Sequence, residues 1–308
     1  MKIAFLNKYQ NKVNRGAETY VRELTKRLSQ NHKVDVISKI NYLDLFKRHY
    51  DLIIPINGRG QVFIVRLITW FTEAKMVVSG QSGVGLDDRL NLYSMPNAFV
   101  ALSSFAVEKS KKRNPFVKVV KIPNGVDLNT FKGVTLKGSR TIKTVLAVGA
   151  FTKEKRHDLT IKAVSKVDNC KLIIAGGGGE LAQDIKIQGE KMLGKDRFEI
   201  IQTTNDKMPD VYAKADLLVF PTVPWESFGI VLVEAMASGL PVVATDDPIR
   251  REIVGDAGLF VDPSNTDDYT KTLEKALNTD WGNKPRKQAE KFSWDIIALQ
   301  YEKLFKKI

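Results

Sequence analysis

Short apolar runs recur along the whole chain, and each is followed by a longer stretch in which apolar residues return every three or four positions among charged ones. Runs at 2–6, 34–38, 51–56, 75–79, 98–102 and 117–122 predict strands in the first half. Runs at 144–149, 171–175, 198–201, 217–220, 242–245 and 258–261 predict a second series. Their continuous apolar character, without alternation, is that of strands covered on both faces. Helical segments fill the gaps, among them 17–28, 105–112 and 228–237. Such alternation predicts an α/β protein with parallel sheets built from β-α units. A stretch containing Gly, Lys and Ser at 132–140 separates the two series, so the chain reads as one domain over 1–139 and a second over 140–292. A closing helix over 293–308 carries Trp294, Ile297, Tyr301, Leu304 and Ile308 at helical spacing, a stripe suited to core packing.

A length of 308 residues is enough for two such cores. The only cysteine, Cys170, directly precedes an apolar run and reads as core filler in a reducing compartment. Residues 3–6 are too short for a signal-peptide core and read as the first strand. The longest apolar stretch, 62–71, is interrupted by Arg66 and is too short to span a bilayer. The expected location is cytoplasmic. Charge changes this picture: residues 1–139 carry 23 Lys and Arg against 10 Asp and Glu, whereas residues 140–308 carry 25 of each. The whole excess of +13 therefore sits in the first domain. It suggests an anionic acceptor, or peripheral attachment to an anionic membrane at its inner face. Lys109, Lys111, Lys112 and Arg113 are the candidate contacts, together with Lys47 and Arg48. Nucleic acid fits less well, because zinc-ligand spacing and RNA-binding aromatic motifs are absent and the neutral second half interrupts a continuous basic groove.

Candidate chemistry concentrates where the apolar run 217–220 gives way to the helical segment 228–237. Glu226 and Glu234 stand eight positions apart across this junction. The first turn of a helix has unpartnered N–H groups and a partial positive charge, so it holds phosphate. The two carboxylates would instead accept hydrogen bonds from hydroxyls. A sugar linked to a nucleoside diphosphate offers both kinds of group. The pair, with its flanks, resembles the E-x7-E signature of glycosyltransferase family 4. By that resemblance Glu226 meets the donor sugar, Glu234 meets the nucleotide ribose, and Phe228, Gly229 and Ile230 line the donor. The resemblance further implies the GT-B architecture: two doubly wound Rossmann-like domains facing across a cleft, with the terminal helix crossing back to the first domain.

Other segments extend the resemblance. Gly149 to Asp158 is similar to the family's Gly-Arg-Leu…Glu-Lys-Gly segment, with Lys155 on the lysine that binds the donor diphosphate. Ala150 replaces the arginine, and Arg156 stands where glycine is usual; Arg156 is a candidate for the missing charge. Asn14, Arg15 and Gly16 resemble the Gly-Gly-Ala element that approaches the diphosphate, with Arg15 either adding charge or blocking the approach. The run Lys171 to Gly179 resembles the strand and Gly-rich loop of the nucleotide pocket, with Gly177 its representative. Ile122, Pro123, Asn124 and Gly125 form a turn in which Asn-Gly supplies positive φ angles. Where the family presents a histidine to the donor sugar, this chain has Gln81 and Ser82, which bond a hydroxyl but do not carry a proton as imidazole does.

The resemblance implies a retaining glycosyltransferase that takes its sugar from a UDP-, GDP- or ADP-sugar and uses an acceptor hydroxyl, for example on a lipid-linked or anionic glycan. No cofactor is expected, and the absence of Asp-x-Asp agrees with metal independence. A dehydrogenase is excluded, since Asn7 to Asn11 after the first strand does not supply G-x-G-x-x-G. The alternative is a relative of the same fold that binds a nucleotide sugar or glycan without transferring it, for which Ala150 and Gln81 speak.

Overall fold

The computed structural model describes residues 1–12, 16–83, 85–132, 141–224 and 226–308. The chain folds as two compact units: Met1–Gly125 with Trp225–Gly229 and Phe292–Ile308, and Val126–Pro224 with Ile230–Lys291. The expected linker, apart from Lys132, lies outside the described residues. Val126 onward already belongs to the second unit because Phe131 packs edge-on against Tyr212, centroids 5.8 Å apart, and Arg286 donates to Leu128 O and Phe131 O.

The first unit runs β1 (Lys2–Leu6), α1 (Gly16–Leu28), β2 (Lys33–Ile37), α2 (Tyr42–Lys47), β3 (Leu52–Pro55), α3 (Gly60–Trp70), β4 (Lys75–Ser79), α4 (Leu86–Tyr93), β5 (Ala98–Ala101), α5 (Ser104–Arg113) and β6 (Val119–Lys121). Its sheet is six-stranded and parallel, in the order β2-β1-β3-β4-β5-β6. Side chains of α2 to α5, including Leu45, Val62, Val65, Leu92 and Ala106, fill one face. On the other face α1 supplies Tyr20, Val21 and Leu24.

The second unit runs β7 (Lys143–Val148), α6 (His157–Ser165), β8 (Cys170–Ala175), α7 (Ala182–Leu193), β9 (Phe198–Ile201), α8 (Met208–Tyr212), β10 (Leu217–Phe220), α9 (Ile230–Ala237), β11 (Val242–Thr245), α10 (Pro248–Val254), β12 (Gly258–Val261), α11 (Thr266–Leu277) and α12 (Lys284–Glu290). Its parallel sheet has the order β12-β11-β10-β7-β8-β9, which is the doubly wound order of dinucleotide-binding sheets. Helix α13 (Trp294–Phe305) returns to the first unit, where Tyr301 accepts from Tyr20 at 3.0 Å and Trp294, Ile297 and Leu304 are buried. Two such parallel α/β units constitute a fold of the GT-B type.

Several details differ from the sequence reading. Helix α9 starts at Ile230, because Gly229 has φ 85 and leaves Phe228 and itself in the preceding loop. Gly125 has no positive φ; glycine is needed there because a Cβ would fall 2.7 Å from the Trp294 ring. Cys170 opens β8, buried, and desolvation pushes its thiol up to about 11. Among the described residues no helix is long and apolar enough to cross a membrane.

Candidate functional site

The strand order of the second sheet reverses between β7 and β10, and an open parallel sheet leaves a ligand crevice beyond its strand ends at such a point. The loops that follow these two strands meet there, the Val223 amide donating to Glu154 O at 3.1 Å. Lys155 ends a 3-10 turn over Lys153–Lys155. Its aliphatic chain lies across Gly149, where an added Cβ would come 3.2 Å from Cγ and Cδ. Its Nζ stands 5.8 Å from the centroid of the Phe220 ring at the end of β10. A cation is thus held at the reversal point by a bare glycine on one side and an aromatic ring on the other.

Arg156 adopts φ 52, a conformation glycine takes without cost. Asp262, after β12, is held below the usual carboxylate range chiefly by hydrogen bonds from Ser264, with the Arg156 charge adding to this. His157 then opens α6. Burial pushes its pKa down to about 4, so the ring is neutral, and Nε2 bonds Ala150 O at 3.2 Å as donor in that tautomer. The ring also packs on Phe151, centroids 5.7 Å apart. His157 therefore ties down the loop that carries Lys155, a role not visible in its sequence context.

The Gly-rich loop after β8 presses against the same segment. A Cβ on Gly176 would sit 1.9 Å from Gly149 O, and one on Gly179 would sit 2.3 Å from Phe151 O. Gly177 has no atom within 4 Å of its Cβ position, so its backbone is open to a ligand. A groove of about 550 Å³ is lined among others by Phe151, Lys186, Phe198, Ile200 and Gln202, and the Phe151 amide donates to Gly178 O of the Gly-rich loop at 2.9 Å.

Across β10, the amides of Ile230 and its successors begin α9, and Glu234 lies on its second turn. Glu234 Oε2 accepts from the Tyr212 hydroxyl at 2.8 Å, which fixes the carboxylate. Desolvation, reinforced by this negative neighbour, holds the Tyr212 pKa well above its usual value. Arg250 was not singled out by sequence, where it resembles a surface cation of a short helix. It is fully buried, with Nε 2.8 Å from Asp247 Oδ2 and Nη2 donating to Val223 O at 3.1 Å. Its guanidinium stands 5.8 Å from the Phe220 centroid, so that ring has both Lys155 and Arg250 as cationic neighbours.

In the first unit the sheet reverses between β1 and β3. Asn7, fully buried after β1, donates to Gln10 Oε1 at 3.0 Å and to Glu18 Oε1 at 3.4 Å. Asn57, after β3, accepts from the Lys8 amide at 2.7 Å. Gly16 begins α1 beside this cluster, while Asn14 and Arg15 lie outside the described residues. Gln81 belongs to another group. Its amide donates to Ser79 Oγ at 2.9 Å and exchanges hydrogen bonds with Asn124 at 2.9 and 3.1 Å, which leaves one acceptor position on its oxygen. Gln81 O accepts from Ser227 Oγ at 2.9 Å, so the segment carrying half-buried Glu226 is joined to the Gln81 loop. Phe228 anchors this segment edge-on against Phe292 at 5.9 Å. Lys109, Lys111, Lys112 and Arg113 occupy the second half of α5, away from both clusters in sequence, with Lys109 Nζ 5.3 Å over Phe105.

Thus Lys155, Gly149, Gly177, Ile230 and Glu234 surround one reversal point, and Gln81, Glu226, Phe228 and Gly229 belong to a group in the first unit. Among known proteins, the family described as glycosyl transferases group 1 matches residues 137–293. An uncharacterized glycosyltransferase of Methanocaldococcus jannaschii is 31% identical over 261 residues, covering 73% of this chain and 65% of the relative. A phosphatidyl-myo-inositol mannosyltransferase of Mycolicibacterium smegmatis is 29% identical over 203 residues, covering 61% of this chain and 52% of the relative. The chain thus spans about half to two thirds of the length of these curated relatives. The crystal structure of Anabaena Alr3699/HepE in complex with UDP and glucose superposes with a TM-score of 0.83 at 18% identity over 100% of both chains, a likeness of fold.

Proposed function

The chain belongs to the group 1 glycosyl transferases, and on that premise we propose a family 4 enzyme that moves a sugar from a nucleoside diphosphate to an acceptor hydroxyl with retention and without a metal ion. The observation that carries this reading is Lys155, 5.8 Å from the Phe220 ring at the end of β10, the strand whose following loop meets the Lys155 turn and leads into α9. Such a cation and helix terminus suit the charge that grows on a departing diphosphate. Glu234, oriented by Tyr212, accepts hydrogen bonds from the ribose hydroxyls. Glu226 accepts from the sugar, and the Gly-rich loop, with Gly177 open, receives the nucleotide.

In the proposed reaction the bond from the anomeric carbon to the diphosphate oxygen breaks. The acceptor oxygen bonds to that carbon on the same face and passes its proton to the departing phosphate, so no protein base is required. Gln81 acts chiefly as a bracket for the Glu226 segment, and Gln81→Ala changes donor selectivity more than it abolishes turnover. The acceptor belongs to the basic first unit, and an anionic or lipid-linked glycan matches its charge. The related phosphatidyl-myo-inositol mannosyltransferases support that class by name.

A second reading, a binder without transferase activity, draws on Ala150 and on a Gln81 amide largely engaged by Asn124 and Ser79. One experiment separates the two. UDP-, GDP- and ADP-sugars are screened for thermal stabilisation and then for release of nucleoside diphosphate. Stabilisation with release supports the enzyme; stabilisation with no release under any acceptor condition supports the binder.

A further inference from the structure

Helix α3 is apolar almost all round. Val62, Val65 and Thr69 are buried on the sheet side, yet Phe63, Ile64, Leu67 and Trp70 are exposed on the other, and Phe71 just beyond is 77% exposed. No acidic residue occurs in α3, and its single cation, Arg66, packs 5.5 Å from the Trp70 ring. A surface helix of a water-soluble unit places charges on such a face. The neighbouring helix repeats the pattern: α4 exposes Leu86, Leu90 and Tyr93, which fall on one side at helical spacing. Both helices pack on the same face of the first sheet, in the layer that includes α2 and α5. That layer carries Lys47 and Arg48 at the end of α2, and Lys111, Lys112 and Arg113 in the last turn of α5.

We infer that the outer surface of the α2 to α5 layer docks on an anionic lipid bilayer, with Trp70, Phe71 and Leu67 entering the interface and the flanking cations meeting the headgroups. Apolar and aromatic side chains rimmed by Lys and Arg are what an interfacial helix presents to such a membrane. A second copy of this chain is disfavoured by charge. An isologous contact through this layer would bring together two chains that each carry a net charge of +13, whose excess lies in residues 1–139, whereas an anionic lipid neutralises it. The inference goes beyond the transferase reading and does not depend on it, because none of these residues belongs to the Lys155 or Glu226 groups.

The test uses the full chain with vesicles of phosphatidylcholine alone or with one quarter phosphatidylglycerol, in flotation and by tryptophan emission quenched with brominated lipid. Binding is expected only to the anionic vesicles and is weakened, not abolished, by 0.5 M salt, each headgroup-facing cation contributing roughly fivefold. Leu67→Glu/Trp70→Glu is expected to lower partitioning at least about tenfold. The side chains are exposed, so circular dichroism and nucleotide-sugar thermal shift should be unchanged in the variant and show that fold and donor site are intact. Absence of binding to anionic vesicles, equal binding by the double variant, or a dimer in sedimentation that this variant converts to monomer would each overturn the inference.

Discussion

Two titrating side chains and one strained backbone are informative at the scale of single residues. Asp88, on α4, is buried, and desolvation raises its pKa from 3.8 to about 8 despite the Asn91 hydrogen bond. A raised folded-state pKa contributes stability that is complete below the unfolded value and lost as pH rises through the folded one. His157 has the opposite sign: its pKa falls from 6.5 to about 4, so its contribution is present above 6.5 and lost as pH falls toward 4. Between pH 4 and 6.5 the two slopes oppose each other, at about 1.4 kcal/mol per pH unit each. Above 6.5 Asp88 acts alone. The wild type should therefore lose stability from pH 6.5 to 8, and Asp88→Asn, which mimics the neutral acid, should flatten that part of a urea-denaturation profile; an unchanged slope would refute the assignment. Arg156 is a separate case. Its φ of 52 costs a non-glycine residue about 1 kcal/mol, so Arg156→Gly should raise the melting temperature by a few degrees. Neither feature was readable in the sequence, where Asp88 follows another acid and Arg156 follows a lysine.

The strands were legible to within a residue or two, because parallel strands covered on both sides have unbroken apolar runs. Helices were less so. Helix α3 looked only like an apolar stretch too short to span a bilayer, since exposed and buried faces are equally apolar and leave no helical period to detect. The start of α9 was placed two residues early because the positive φ of Gly229 depends on how the loop is held by Ser227 and Phe228. Loops give a sharp contrast for experiment. Gly176→Ala drives a Cβ into Gly149 O and should destabilise the second unit by about 3 kcal/mol or more. Gly177→Ala meets nothing and should leave stability unchanged while weakening nucleotide-sugar binding several-fold by isothermal calorimetry. Equal stability of the two variants, or full donor affinity in Gly177→Ala, would contradict this division of labour.

Across the whole molecule, the two series of β-α units emerged as two parallel six-stranded sheets, and the chain belongs to the group 1 glycosyl transferases, the coarser part of what its motifs pointed to. The placement of Lys155 after β7 and of Glu234 in α9 was legible because it is local in sequence, whereas contacts that depend on strand order were not. Arg250 reaches Phe220 only because β11 lies beside β10, and Gln81 meets Asn124 only across 43 positions of chain. A nucleotide sugar at a hundredfold its dissociation constant should stabilise the fold by about 2.7 kcal/mol, several degrees of melting temperature. The central claim, that Lys155 and the start of α9 stabilise a departing diphosphate, is tested most directly by nucleoside diphosphate release from the preferred nucleotide sugar by wild type and Lys155→Ala. The account predicts that the variant remains folded and that its turnover falls about a hundredfold or more. Equal turnover by the two proteins would contradict it.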